Sequence, residues 1–78
     1  MKVYEIEWID SCASNINWVL DEELPDKPEP IKIHTFGVIV QENDECITLA
    51  QNYGMNPLQY CNLMTIPKGC IKSKVEIV

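Results

Sequence analysis

Residues 36–50 read FGVIVQENDECITLA, and this stretch predicts a β-hairpin. Two runs rich in β-branched and aromatic residues flank a turn-forming pair, Asn43 and Asp44. With the loop centred between these two residues, the predicted pairs on the apolar face are Val40 with Ile47, Val38 with Leu49 and Phe36 with Gln51. The hairpin therefore supplies half of a small β core. No motif for catalysis, metal binding or nucleic-acid readout lies on it.

A further strand is predicted over residues 60–66, after a loop around residues 54–57. The register that extends the apolar face has four matching pairs, which are Leu49 with Met64, Ile47 with Ile66, Thr48 with Thr65 and Tyr53 with Tyr60. This match predicts a three-stranded meander. Its core side chains are expected to be Val38, Val40, Ile47, Leu49, Met64 and Ile66.

The other face of the meander has a row of small residues. The two registers align Gly37, Ala50 and Leu63 across three strands, and small side chains permit another segment to approach closely. We therefore expect the 11–24 segment to cover this row through Trp18, Leu20 or Leu24.

Two more stretches of alternating polarity precede the hairpin. Residues 2–10 alternate so that Tyr4, Ile6 and Trp8 share one face, which predicts a first strand. Residues 31–35 resume the alternation and run directly into the hairpin. They predict a long second strand that bends near Gly37.

Between these strands the sequence predicts a loop, a short helix and a connector. Small polar residues over 12–17 form the loop, and Asn15 or Asn17 can cap a short helix in the 15–24 segment. The Pro-rich stretch 25–30 predicts an extended, solvated loop within one domain.

The C-terminal segment predicts a one-turn break and a fifth strand. Pro67 and Gly69 interrupt the preceding strand, and the 66–71 stretch fits a single 3-10 turn. Residues 71–77 then alternate in polarity. The side chains expected to point inward are Ile71, Val75 and Ile77, and those expected to point outward are Lys72, Lys74 and Glu76.

Five short strands, a bent second strand and a one-turn break before the last strand predict a mostly β fold. The expected architecture is a small five-stranded SH3-like or Sm-like barrel with a short helix in the 15–24 segment. Residues 1–78 are expected to form one domain, because a chain of this length has no room for a second core.

Several short stretches also resemble a known group of proteins. They are Trp8-Ile9-Asp10-Ser11 and Trp18 near the start, then Thr48-Leu49-Ala50-Gln51, then Ile66-Pro67-Lys68-Gly69-Cys70-Ile71. Together they make the chain similar to a family of small, functionally uncharacterised proteins from gut bacteria and their phages and prophages. The resemblance covers most of the chain and implies a mobile-element context. It brings no activity and no functional residue.

The charge of the chain argues against direct nucleic-acid binding. Twelve acidic residues stand against six lysines and no arginine, and the formal net charge is −6. This balance repels phosphate backbones, and the bidentate arginine contacts that read guanine are absent. The acidic surface serves solubility, meets a basic partner or imitates DNA.

The sequence indicates a cytoplasmic protein without a membrane segment. No run approaches the ~20 apolar residues that span a bilayer, and charged residues stand where a signal peptide has its apolar region. The four cysteines never occur as Cys-x-x-Cys, which argues against zinc ribbons and redox motifs. We expect free thiols, and two disulfides are the alternative if the protein is secreted.

No constellation in the sequence points to catalysis or to a cofactor. His34 has no nucleophile context, and the acidic run 21–23 lacks the spacing of a calcium loop. The amides and tyrosines of the 51–62 loop suit a ligand or a protein partner, and they equally suit an ordinary hairpin tip. Trp18 is either a partner-facing anchor or a lid on the sheet. The candidate binding residues are Trp18, Gln51, Asn52, Tyr53, Asn56, Tyr60 and Lys68.

The sequence therefore predicts a non-enzymatic binding protein of one of two classes. In the first class it is a protein-interaction module that a phage or prophage encodes as an accessory factor. In the second it is a homo-oligomer that captures a small molecule, such as a nucleotide signal, between its subunits. The acidic charge favours the first class, whereas Lys68, Lys72 and Lys74 can supply cations for the second. The poorly protected edge of the final strand also predicts self-association.

Overall fold

The computed structural model describes residues 2–11 and 18–77, and its architecture is a five-stranded antiparallel sheet. In chain order the strands are β1 (Val3–Asp10), β2 (Ile31–Glu42), β3 (Cys46–Gly54), β4 (Gln59–Pro67) and β5 (Ile71–Glu76). Two 3-10 turns, at Asp21–Glu23 and Lys68–Cys70, are the helical elements of the described residues. The mostly β class is confirmed, and so is the one-turn break before the last strand.

The strands lie in the order β4-β3-β2-β1-β5, so that β4 and β5 are the two edges of the sheet. Among the described residues, backbone ladders join β1 to β2, β1 to β5, β2 to β3 and β3 to β4. No ladder joins β4 to β5 in this part of the chain, and the sheet is open.

The long strand β2 connects the two halves of the sheet. Its first part pairs with β1, from Ile31 opposite Asp10 to Val38 opposite Val3. From Val38 onward it pairs with β3, and a register shift lies between Ile39 and Gln41. The predicted long second strand is confirmed, and it changes partner next to the bend expected at Gly37.

The predicted register of the β2–β3 hairpin is wrong. Val38 lies opposite Ala50, Ile39 opposite Leu49 and Glu42 opposite Ile47. The turn is longer than a two-residue loop, because the Asn43 N–H donates to the Cys46 carbonyl (3.0 Å) and the Asn43 side-chain oxygen accepts from the N–H groups of Glu45 and Cys46. The turn displaces the register by two residues, and the register shift within β2 takes one of them back, so that Val38 lies opposite Ala50 instead of Leu49. The row of Gly37, Ala50 and Leu63 is therefore not formed, although Ala50 does lie opposite Leu63.

The register of β3 with β4 is confirmed. Leu49 pairs with Met64, Ile47 with Ile66, Thr48 with Thr65 and Tyr53 with Tyr60. The two threonine hydroxyls are hydrogen-bonded at 2.8 Å, which satisfies the buried Thr48 side chain. Matched cross-strand pairs therefore specified this half of the meander.

The core consists of a few large aliphatic side chains. Ile6, Ile47, Leu49 and Ile66 are buried together, and Trp8, Ile39 and Ile71 pack against them while remaining partly exposed. Three residues predicted for the core lie outside it. Val38 and Val40 are only half-buried, and Met64 is 43% exposed. The displaced hairpin register turns Ile39, in place of Val38, towards Leu49.

The segment before β2 does not cover the sheet. Trp18 is fully exposed, and Leu20 and Leu24 are each more than half exposed. Of the helix expected in the 15–24 segment, the described residues 18–24 contain only the 3-10 turn Asp21–Glu23. Residues 12–17, with the predicted capping positions, lie outside the described residues. A helix this short has no packed apolar face to stabilise it. The 25–30 stretch is exposed as predicted and contains no helix or strand, and its backbone bends at Asp26 and Lys27.

The predicted sidedness of β5 is wrong beyond its first residue. Ile71 lies opposite Trp8 and packs on the core, but the register shifts between Glu7 and Trp8, and Ser73 lies opposite Glu7. One extra residue reverses the faces of everything that follows. Lys74 and Glu76 therefore share the face of Ile6 and Tyr4, while Val75 and Ile77 are about half exposed on the opposite face.

Candidate functional site

An open cleft of about 400 Å³ is the candidate ligand site. Its walls combine two tyrosine rings, three aliphatic residues, two lysines and one glutamate. The lining residues are Lys2, Tyr4, Val38, Ile39, Val40, Glu42, Tyr60 and Lys74. Four different strands contribute to it, including the edge strands β4 and β5, so tertiary folding assembles the cleft.

Glu42 is the electrostatic centre of the cleft. One carboxylate oxygen lies 2.9 Å from the Lys68 ammonium, and the other lies 3.9 Å from the Lys74 ammonium. The hydrogen bond from Lys68, helped by the charges of Lys68 and Lys74, holds the pKa of the Glu42 carboxyl below its ordinary value against a smaller opposing effect of desolvation. Glu42 is therefore ionised at neutral pH.

The two lysines of the cleft are held more loosely than Lys68. The Lys74 ammonium lies 5.8 Å from the centre of the Tyr4 ring, within the range of a cation–π contact. The Lys2 ammonium lies 3.5 Å from Glu76, and both of these side chains are largely solvated. Exposed pairs of this kind contribute little to stability, and their cations can turn towards a ligand.

We predict that the Glu42 contact makes stability depend on pH. Because folding lowers the pKa of Glu42, its contribution is present above the unfolded-state pKa and disappears as the pH falls through the folded-state pKa. Glu42→Gln should lower the urea midpoint slightly at about pH 7, and this difference should shrink towards zero at about pH 3. Glu22→Gln, in the exposed turn, is the control and should leave the midpoint unchanged. A Glu42→Gln difference that is equal at both pH values would contradict the assignment.

A second surface lies on the face of the sheet opposite Ile6, and we call it the outer face. One of its rows runs across four strands from Val3 to Val38, Ala50 and Leu63, and the Ile77 N–H donates to the Val3 carbonyl at the end of this row. The neighbouring row places Phe36 and Val75 on either side of Glu5. The large apolar side chains that remain about half exposed on the outer face are Phe36, Leu63, Val75 and Ile77.

The structure distributes the seven candidate residues over three places. Tyr60 lines the cleft, and Lys68 contacts it through Glu42. Tyr53 lies opposite Tyr60, while Gln51, Asn52 and Asn56 are exposed along the β3–β4 arm and its turn. Trp18 lies in the exposed segment before β2, so the interpretation of it as a lid is wrong.

Of the eight residues that line the cleft, only Tyr60 was among the predicted site residues. Lys74 was named only as a possible source of cations, and Tyr4 and Glu42 were not proposed for any site. Tyr4 was expected to share a face of the first strand with Ile6 and Trp8, and Lys74 was expected to point outward. The register shift in the β1–β5 ladder places Lys74 on the same face of the sheet as Tyr4. No local pattern in residues 71–77 signals that shift. The cluster of C-terminal lysines was the only available hint.

Among the residues that the structure describes, the other polar groups form no further site. His34 is an exposed residue whose Nδ1 lies 3.0 Å from a Glu5 carboxylate oxygen. Within residues 2–11 and 18–77, no three or more His, Cys, Asp or Glu side chains cluster so that they could hold a metal ion.

We predict that all four thiols are free. Cys46, Cys61 and Cys70 are unpaired in the structure, and Cys12 lies outside the described residues. Alkylation without reductant, followed by mass spectrometry, should therefore count four modified cysteines. Two or fewer would indicate a disulfide or a metal-bound state, and a reduced sample serves as the four-thiol reference.

In the described part of the chain, no helix has the length and apolar character needed to cross a bilayer. Comparison of the chain with models of protein families, with curated proteins and with solved structures finds no match.

Proposed function

We propose that this protein is a non-enzymatic, cytoplasmic protein-interaction module, of the kind that a phage or prophage encodes as an accessory factor. The outer face is the observation that carries the proposal. Single exposed apolar side chains are normal, but a contiguous set of them is typical of an interaction surface. Here Phe36 of β2 and Val75 of β5 flank Glu5 of β1, Ile77 follows directly after β5, and all three apolar side chains are close to half exposed.

The charge around the outer face indicates the chemistry of the partner. Glu5 lies between Phe36 and Val75, and Glu7 is the next outward residue of β1. The whole chain is acidic, with a net charge of −6. An apolar patch with a basic rim on the partner is complementary to this surface, and opposite charges also accelerate association.

The proposal includes closure of the sheet towards a small SH3-like or Sm-like barrel. Lys74 lies in the row of Ile6, two strands away from β2, whereas Glu42 is at the far end of β2. Their contact at 3.9 Å therefore requires the end of β2 to curl back towards β5. The Lys68 N–H donates to the Glu45 carbonyl at 2.8 Å and supports the same curvature at the turn.

The test compares variants that keep the fold but change the outer face. Tagged wild-type protein and the double variant Phe36→Ser/Val75→Ser are used to capture partners from a host lysate, and the captured protein is then purified and titrated directly. We expect the double variant to weaken binding at least about tenfold. Leu24→Ser, at an equally exposed position outside the sheet, should bind like the wild type. Equal binding by all three proteins would contradict the proposal.

The second class, a homo-oligomer that binds a small molecule, is favoured by one specific observation. The cleft takes Tyr60 from the edge strand β4 and Lys74 from the edge strand β5, so a neighbouring subunit at either edge would lie beside it. Open edges with apolar side chains such as Val75 also promote pairing between chains.

We predict self-association through these edges, and the mass in solution tests it. Light scattering at micromolar concentration should give a mass above the 9.0 kDa of one chain. Val75→Lys should shift the distribution towards the monomer, whereas Leu58→Lys, in the exposed β3–β4 turn, should not. A strict monomer would remove the oligomeric class and leave the protein-interaction module.

A further inference from the structure

We propose that the cleft binds a small molecule in which a planar ring carries a phosphate group, with a nucleoside monophosphate as the representative ligand. The cleft and the outer face share Val38, but the exposed apolar side chains of the outer face, such as Phe36 and Val75, do not line the cleft. The inference requires only one chain. It shares a ligand class with the oligomeric alternative, but self-association and ligand binding are measured separately.

The size and walls of the cleft suit a planar ring. Its volume of about 400 Å³ falls within the range of small-molecule sites. Tyr4 and Tyr60 offer aromatic surfaces, and Val40 with its neighbours offers an apolar floor. Aromatic side chains at a partly solvated site stack on planar rings without requiring a hydrogen-bond pattern.

The cations of the cleft suit a phosphate group. The chain has six lysines, and three of them, Lys2, Lys68 and Lys74, lie in or beside this one cleft of an acidic protein. Lys68 forms a close ion pair with Glu42 at 2.9 Å, whereas the distance from Lys74 to the same carboxylate is 3.9 Å. Lys74 and Lys2 can therefore reorient towards a ligand. Two ammonium groups favour a doubly charged phosphate over a singly charged carboxylate.

The acidity of the rest of the chain limits the ligand to a small anion. A long polyanion such as DNA would extend beyond the cleft and be repelled by the rest of the chain, whose net charge is −6. Charges farther away than about 8–10 Å are largely screened at physiological ionic strength, so a single phosphate experiences mainly its local surroundings. There the three lysines Lys2, Lys68 and Lys74 outnumber the two carboxylates of Glu42 and Glu76.

The experiment is an NMR titration of the full-length, ¹⁵N-labelled protein with AMP, with adenosine and with inorganic phosphate. We expect saturable shift changes at the amides of cleft residues such as Tyr4, Val40 and Lys74 on addition of AMP. The dissociation constant should lie below about 1 mM, and adenosine and phosphate alone should each bind about tenfold more weakly. Lys74→Gln and Tyr60→Leu should each weaken AMP binding about tenfold.

The chain provides a matched control for each of these variants. Lys72→Gln changes a neighbouring exposed lysine of β5, and Tyr53→Leu changes the tyrosine paired with Tyr60, and neither residue lines the cleft. Both controls should bind AMP like the wild type, and the spectra themselves report whether each variant is folded. Absence of saturable shifts at about 10 mM AMP, or equal weakening by Lys72→Gln and Lys74→Gln, would overturn the inference. The Phe36→Ser/Val75→Ser variant should bind AMP like the wild type. Its titration therefore tests AMP binding by the cleft independently of partner binding by the outer face.

Discussion

Replacement of Leu49 by alanine is expected to lower the free energy of unfolding by about 2–5 kcal/mol. Leu49 is 1% exposed and lies among Ile6, Ile47 and Ile66 in the core. A domain of this length has a total stability of roughly 4–12 kcal/mol, so the loss approaches or exceeds what the fold can tolerate. Chemical denaturation followed by tryptophan fluorescence measures it, since the indole of Trp8 packs against this core.

Two companion variants make the Leu49 result specific. Leu58→Ala removes the same atoms from a half-exposed position in the β3–β4 turn and should cost less than about 1 kcal/mol. Met64→Ala, on the partly exposed face of β4, should fall between the two. An unchanged midpoint for Leu49→Ala would mean that the core and the β3–β4 register are not those described.

Replacement of Gly37 by alanine is expected to destabilise the protein by about 1–3 kcal/mol or more. A Cβ atom at this position would lie 2.6 Å from the Ala50 carbonyl oxygen and 3.4 Å from the Leu49 Cβ atom. The nearest atom belongs to the backbone of β3, so a rotamer change cannot relieve the clash. The close approach of β2 to β3 at the point where β2 changes partner therefore requires a residue without a side chain.

Gly69 provides the matched control for Gly37. A Cβ atom at Gly69 meets nothing within 4 Å, and its φ is not positive. Gly69→Ala should therefore leave stability unchanged or raise it by up to about 1 kcal/mol through the lower entropy of the unfolded chain. Chemical denaturation measures the free energy of unfolding of both variants relative to the wild type. Equal effects at the two glycines would show that the close approach at Gly37 is absent.

Patterns of side chains predicted most of the strands. Alternation predicted β1 and the first part of β2, and the threonine and tyrosine pairs predicted the β3–β4 register, because cross-strand neighbours on one face interact directly. The break at Pro67 to Gly69 predicted the second 3-10 turn. The same patterns failed for residues 18–24, where a short helix was expected after a capping asparagine but Trp18, Leu20 and Leu24 are exposed.

The candidate site was predicted only in part. Tyr60 and Lys68 were identified because they belong to local groups of polar and basic residues. Tyr4 was not proposed for a site and Lys74 was assigned to the wrong side of its strand, although both stand in strands that were predicted correctly. Their proximity depends on the β1–β5 ladder, in which residues about seventy positions apart become neighbours.

The sequence by itself determined the β class, the order of the strands along the chain and the acidic character of the surface, because these properties follow from alternation, turn residues and charge within short segments. Only the tertiary structure decided which side chains share a face. Two register shifts, one in β2 between Ile39 and Gln41 and one in the β1–β5 ladder between Glu7 and Trp8, each exchange the two sides of the sheet between the residues before and after the shift. The side-chain period of a strand is two, so one extra residue exchanges inside and outside. That exchange brought Ile39 to the core, Lys74 to the cleft, and Val75 to the outer face.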